Sequence, residues 1–488
     1  MKTRLLVFLL IAIGAIGCKP KRKDVLISGQ IDGYTNKPVW VYSASAVYVN
    51  KPYDLALDST HTDENGIFNL AFSCSAGIFH HIFTENNFLL VETPIVAEKG
   101  DSVFFRTSIF NTSRPEFGGD NTPINQHIFT QRQALPSELR GKNSNLWNEN
   151  RFTSFVDSIE RAYIHRVDSL KKAHALKASV ENLMRAEIQL YLASERYKYL
   201  LQHLNETKGI RKYYLPNESF YKFAQELFDT YENFWFLPSY SMAIDGMIED
   251  NFQHSKRNVT CPFSHRLKIA EENYKGIAQE VALARLSRRF PEFLANPNFF
   301  NTLQSIDSLM NLITSQNALK KYFDINAQKV RAIEPGNIAP NIALPNVDNQ
   351  IVSLDELVGK VVLVVFWGTW CPPCLSSIPR YIEIQEQFKE EDVEFLFVSL
   401  EPRTPEIEEW KRFVQGKGSL AKEFLNGKPF PGKHVVALGQ FSNPQVQPYV
   451  VTFAPSYVLI DKEGRIAMPR TNLNEELEAK ISTLIDEN

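Results

Sequence analysis

The apolar pattern of the chain changes period twice. Between about residues 25 and 106, short β-branched runs such as Val25-Leu26-Ile27, 38–42 and 67–72 alternate with turns. Asp32-Gly33, Asp63-Glu64-Asn65-Gly66 and Lys99-Gly100-Asp101 place glycine where a turn needs positive φ. Hairpins at this spacing predict a small antiparallel β sandwich over 25–110. From about Thr122 to Ala327 the period becomes helical. Phe155, Ile159 and Tyr163 trace one face, as do Val180, Met184, Ile188 and Tyr191, and again Ile306, Met310 and Ile313. With Pro216, Pro238, Pro262 and Pro291 as punctuation, this predicts a central helical domain over 120–327 of six to eight segments. Its many aromatics, among them Phe220, Tyr221, Trp235 and Phe236, read as core rather than a ligand cage. A linker containing Pro335-Gly336 and Pro340 leads into a third domain, 336–488, in which strands and helices alternate.

Within that last domain, Ile342–Leu344 and Ile351-Val352 flank Asp348-Asn349 as a hairpin. Ser353 and Glu356 match a capping box, Thr404-Pro405 an N-cap with proline behind it, and Asn474 a cap for a final helix burying Leu477, Ile481 and Leu484. The most informative stretch is Val361-Val362-Leu363-Val364-Val365-Phe366-Trp367, an uninterrupted apolar run that suits a strand buried on both faces. Gly368 and Thr369 end it, and Trp370-Cys371-Pro372-Pro373-Cys374 follows. Prolines fit the first helical turn, so Cys371 is expected at a strand-to-helix junction, where unpaired N–H groups favour a thiolate. Cys374 lies about one turn further on, close enough for a disulfide. A lone C-x-x-C also fits half a zinc site or two core cysteines. Zinc asks for about four ligands, and no second C-x-x-C or H-x-x-x-H supplies them, so neither a metal nor another cofactor is expected. His434 and Trp410 read as packing or surface residues, and Pro379 as a kink in the helix after the cysteines.

Lys2 and Arg4 precede an apolar or small run over residues 5–17, too short for a permanent membrane helix and suited to an export signal. It ends Ala15-Ile16-Gly17-Cys18, which resembles a bacterial lipobox and makes Cys18 the expected acylated residue, with 18–24 as a tether. Loss of Lys2 and Arg4 takes the balance from 53 basic and 56 acidic residues to 51 and 56. That slightly acidic balance argues against a general nucleic-acid binder. Of the 5 cysteines, Cys74 and Cys261 are left over, as inert thiols or as a disulfide of their own.

The string F-W-G-T-W-C-P-P-C, with Pro379 in the next helix, resembles the TlpA/ResA-like branch of thioredoxin-like proteins, within the redoxin group. Thr452-Phe453-Ala454-Pro455-Ser456-Tyr457-Val458-Leu459-Ile460-Asp461 resembles that family's cis-proline strand, and the likeness extends over about 338–485. The β region resembles a small domain of unknown function found upstream of such domains. The resemblance implies an α/β thioredoxin-like fold and extracytoplasmic thiol–disulfide exchange facing the periplasm. It implies Cys371 as nucleophile, Cys374 as resolving thiol, and Trp370 and Pro455 as substrate-positioning residues. It further implies a disulfide-containing protein as substrate and a membrane thiol donor as reductant. The chain departs from the family at the two usual acids: Ser377 stands three residues after the second cysteine, and Val365 six before the first. Glu383 or Glu401 replaces them only if folding brings one close. Two rivals stand beside this reading. A thiol peroxidase would want threonine where Gly368 stands, three residues before Cys371. A binding or scaffold lipoprotein would carry its function in the N-terminal two-thirds.

Overall fold

A computed structural model describes residues 25–43, 58–72, 79–86, 89–108, 115–139, 144, 147–174, 176–206, 216, 218–224, 226–255, 262–294, 299–314 and 317–487. Cys18, Cys74 and Cys261 lie outside the described residues. The chain divides into two compact units between His254 and Ser255. That division falls inside the span expected to form one helical domain, because the helices after it group with the C-terminal sheet.

The first unit opens with eight strands, β1 (Val25–Asp32), β2 (Pro38–Ser43), β3 (Asp58–His61), β4 (Ile67–Phe72), β5 (Phe79–Asn86), β6 (Leu89–Val96), β7 (Ser102–Ser108) and β8 (Glu116–Gly119). They form two four-stranded sheets, ordered β4-β1-β7-β8 and β3-β2-β5-β6. Strict alternation along β1 buries Val25, Ile27 and Ile31, which join Val39 and Val41 of β2 and Phe68 and Phe105 in one apolar cluster. The expectation of a purely antiparallel arrangement ending by 110 is corrected here. β1 runs parallel to β7, from Leu26 opposite Ser102 to Asp32 opposite Ser108, and β8 extends the same sheet beyond 110. A parallel neighbour needs a long crossover, supplied here by the whole second sheet, and local alternation carries no sign of it.

Helix α1 (Thr122–Leu139) is tied to β6 by Asn125, whose buried amide accepts from Val96 N at 2.7 Å and donates to Val96 O at 3.2 Å. The long helices α2 (Glu149–His174) and α3 (Ala178–Glu206) pack against each other. Phe152 stacks on Tyr199 at 3.9 Å, and buried Arg196 donates to Asp157 at 2.7 Å. Of the expected α2 stripe, Ile159 and Tyr163 are buried, but Phe152 and Val156 continue it while Phe155 stays partly exposed against Trp147. A further turn, α4 (Leu227–Thr230), leads to α5 (Pro238–Ser255).

The second unit begins with α6 (Pro262–Asn273), α7 (Gly276–Ser287), α8 (Phe299–Met310) and α9 (Asn317–Arg331), joined by edge-on contacts among Phe263, Phe290 and Phe323. Among the described residues, no helix is long and apolar enough to cross a membrane. The linker then zips onto the last hairpin: Gly336 N donates to Ile466 O at 2.8 Å and Ala339 N to Gly464 O at 2.9 Å. β9 (Ala343–Pro345) pairs with β10 (Ile351–Ser353) as expected. The Ser353 capping box does not form, since its hydroxyl donates to Asn341 Oδ1 instead. Five more strands, β11 (Val361–Trp367), β12 (Val393–Glu401), β13 (Lys433–Leu438), β14 (Ser456–Ile460) and β15 (Ile466–Thr471), make one sheet ordered β13-β12-β11-β14-β15.

β11 lies at the centre, parallel to β12 and antiparallel to β14, with all seven side chains buried. At about 1.5–3 kcal/mol per large apolar side chain, that burial rivals the whole net stability of a domain. The α10 helix (Pro372–Ser376) follows Cys371 and contains Cys374, and α11 (Ile378–Gln387) comes next, the break at Ser377 lying just before Pro379. α12 (Thr404–Val414), α13 (Ser419–Leu425) and α14 (Glu475–Asp486) complete the unit. Asn474 accepts from Leu477 N, as its cap position implies, whereas Thr404 already lies inside α12 and Arg403 takes the cap position.

His434 of β13 is a packing residue: its ring lies 4.7 Å from that of Phe397 and nearly parallel to it, with Nε2 facing Phe430 O and Pro431 O at 3.1 Å each. Burial pushes its pKa down to about 4 from 6.5. The folded protein therefore refuses a proton that the unfolded chain accepts below about 6.5, and stability is lost as pH falls from about 6.5 to about 4. His434→Gln keeps a donor for the carbonyls without titrating. Denaturant melts of this variant between pH 7 and 4 should lack about 3 kcal/mol of the wild-type decline.

Candidate active site

The buried run of β11 ends at Trp367, and residues 368–371 turn the chain into α10. Gly368 has no room for a side chain: a Cβ there would lie 2.4 Å from Trp370 Nε1. Cys371 occupies the N-cap position of α10, where its Sγ accepts from Cys374 N at 3.2 Å. The two sulfurs form a disulfide, with Cα atoms 5.3 Å apart. In this state both residues are buried, Cys371 at 2% and Cys374 at 0% exposure. Trp370 beside them is 42% exposed.

The neighbouring strand β12 grips the turn at two successive residues. Trp370 Nε1 donates to Leu400 O at 2.5 Å. Thr369 donates to Glu401 twice, from its backbone N to Oε1 at 3.1 Å and from its hydroxyl at 3.2 Å. Ser399 Oγ adds a third donor to Glu401 Oε1 at 2.7 Å. Glu401 has no exposed surface and is the only buried carboxylate among the described residues of 336–487. Burial raises its pKa, opposed by these donors and reinforced by nearby Glu406. Of the two acids weighed from sequence, folding therefore brings Glu401 to the turn. Glu383 is exposed and pairs with Arg380 at 2.7 Å.

The two vacant acid positions lie elsewhere, on the face of β11 toward α11. Val365 pairs with Tyr457 across the β11–β14 ladder, and Tyr457 Oη is 3.2 Å from Tyr381 Oη. Burial raises the pKa of both phenols. Ser377 donates to Pro373 O at 2.9 Å. An aliphatic side chain and a hydroxyl thus stand where carboxylates were sought, with two phenols beside them.

The Ala454–Pro455 bond is cis, and pairing of Ser456 with Phe366 sets Pro455 level with the exit of β11 toward the cysteines. Phe453, two residues before it, is 51% exposed. The approach to this loop is fixed from below by Arg470, a buried guanidinium that donates to Tyr449 O at 2.9 Å and Val450 O at 2.8 Å. With only carbonyl partners, its pKa is pushed down to about 10 by burial. Sequence reasoning missed Thr369 and Arg470. A charged residue closing an otherwise apolar strand, as in Val398-Ser399-Leu400-Glu401, was the available signal for the carboxylate.

Residues 334–480 match the redoxin family. Over 138 residues the chain is 28% identical to the thiol-disulfide oxidoreductase ResA of Bacillus thuringiensis subsp. konkukian, covering 28% of this chain and 70% of that protein. Over 69 residues it is 36% identical to ResA of Bacillus subtilis, covering 14% of this chain and 38% of the relative. Among solved structures, a putative thiol:disulfide interchange protein DsbE from Chlorobium tepidum is 25% identical, covers 31% of this chain and 99% of that one, and has a TM-score of 0.26. The thioredoxin domain of a thiol-disulfide oxidoreductase from Bacteroides vulgatus is 22% identical, covers 31% and 98% of the two chains, and has a TM-score of 0.26. Residues 334–480 of this chain are thus a redoxin domain, similar to the ResA thiol-disulfide oxidoreductases.

Proposed function

We propose that the chain is an extracytoplasmic, lipid-anchored thiol–disulfide oxidoreductase that reduces protein disulfides through Cys371 and Cys374. The observation carrying this reading is the Cys371–Cys374 disulfide at the exit of the central strand, level with the cis-proline loop. In the reduced enzyme the Cys371 thiolate attacks one sulfur of a substrate disulfide, and the other substrate sulfur leaves as a thiolate that takes up a proton. Cys374, deprotonated, then attacks Cys371 Sγ and expels the second substrate thiol. Substrate gains two electrons and two protons, and the enzyme is left oxidised. A membrane-borne thiol donor of the same dithiol chemistry restores it. Exposed Trp370 and Phe453 flank the site and suit a polypeptide partner, with Pro455 positioning its backbone. Export and anchoring rest on the apolar run ending at Cys18.

The division of labour between the cysteines is open to direct measurement. Cys371→Ser should lower disulfide reductase activity on a protein such as insulin by roughly three orders of magnitude. Cys374→Ser should accumulate mixed disulfides released only by added thiol. Stable mixed disulfides in the Cys371→Ser variant alone would reverse the roles, and activity without either cysteine would end the redox reading.

Crowding at Gly368 yields a second expectation. Gly368→Ala should push Trp370 off Leu400 O and lower kcat/KM about tenfold while the far-UV dichroism stays unchanged. Anchoring is checked by Cys18→Ser in cells: labelling with a radioactive fatty acid should vanish, and persistence of the label would remove the lipoprotein assignment.

A further inference from the structure

Glu401 differs from every other acid in its domain. It has no contact with water and no ion pair among the described residues, and its side chain is spent on the turn that carries Cys371. The side-chain hydroxyl of Thr369 is within 3.2 Å of both carboxylate oxygens, and the backbone N–H of the same residue reaches Oε1. Immediately after it, Trp370 is held by the carbonyl of Leu400, and Cys371 N closes the turn on Gly368 O at 3.1 Å. Every residue between the strand and the first cysteine is thus tied either to the last two residues of β12 or to the turn itself. A buried carboxylate placed there for stability alone is a poor choice, because desolvation costs several kcal/mol that neutral donors only partly offset.

We propose that Glu401 is a positioning residue of the dithiol site, holding residues 368–371 in place and setting, by its own charge, the pH at which Cys371 becomes reactive. The inference rests on the redox reading above. No proton or electron passes through Glu401 in this scheme. It acts through Thr369 and through space: an ionised carboxylate beside a thiol disfavours the thiolate, and a protonated one does not. The charged neighbour of Glu401 is Glu406 of α12, itself paired with Arg403, and Cys371 follows two residues after Thr369 in the turn that Glu401 holds. Ser399 on its own strand and Gly439, which donates its backbone N–H to Glu401 O at 3.0 Å, carry no charge.

The test is the pH dependence of Cys371 alkylation in the fully reduced full-length protein, read by mass spectrometry of the peptide so that the other cysteines do not interfere. Glu401→Gln keeps a carbonyl acceptor for Thr369 N and removes the charge. Its alkylation profile should move down by about one pH unit, an approximately tenfold faster reaction on the rising limb. Thr369→Val, which removes the hydroxyl and keeps the backbone N–H, should show a smaller shift. Glu401→Ala orphans all three donors and should slow turnover at every pH tested. A wild-type profile in Glu401→Gln overturns the inference. Alkylation is measured whether or not the protein reduces disulfides, so the two readings fail separately. An inert wild type with the shift intact defeats only the redox reading, and an unmoved profile in an active protein defeats only the role of Glu401.

Discussion

The pairing of β11 with β12 on one side and β14 on the other is the constraint on which the C-terminal domain depends. Odd-numbered β11 residues, from Val361 to Trp367, face a core shared with Cys374, Tyr381 and Trp410, while Val362, Val364 and Phe366 face another shared with Tyr449 and Val458. A slip of one residue would exchange the two faces and carry the turn to Cys371 with them. Because both faces are filled, the register is over-determined. That rigidity lets a short turn of four residues hold a reactive group to a fraction of an ångström.

Much of this was legible before any coordinates. A continuous β-branched run, two prolines between two cysteines, and proline ahead of an aliphatic strand are local signals, and the fold uses each as read. Asn474 caps its helix because an asparagine before an amphipathic run competes with nothing else nearby. The illegible parts are non-local. The β1–β7 pairing joins segments some seventy residues apart in sequence. Ser353 gave up its expected cap for Asn341, a partner that only the β9–β10 hairpin brings near. In α2 the stripe rotated because tertiary neighbours chose Phe152 and Val156 over Phe155. Glu401 was a candidate by residue type alone, and the neighbouring strand's register had to be known before it could be placed at the turn.

The site also shows how one fold redistributes its polar groups. Where the family motif leads one to look for acids, this chain has Val365, Ser377 and two facing phenols, and its buried carboxylate stands on the other neighbour of the central strand. The charge thus stands on the strand side of Thr369 and not on the helix side of Cys374. On the proposal made above, chemistry at the sulfurs is tuned from the central sheet.

Arg470 has a consequence for how this domain tolerates exchange of its parts. In the connection between β13 and β14 two carbonyls, those of Tyr449 and Val450, are satisfied by a guanidinium that arrives only later in the chain, on β15. The connection and the arginine therefore form one structural unit split across the sequence. A recombination that swaps the loop and leaves the strand behind strands a buried cation on one side or two orphaned carbonyls on the other. A change at the tip of this connection leaves those bonds alone, but its root is bound to the far edge of the sheet.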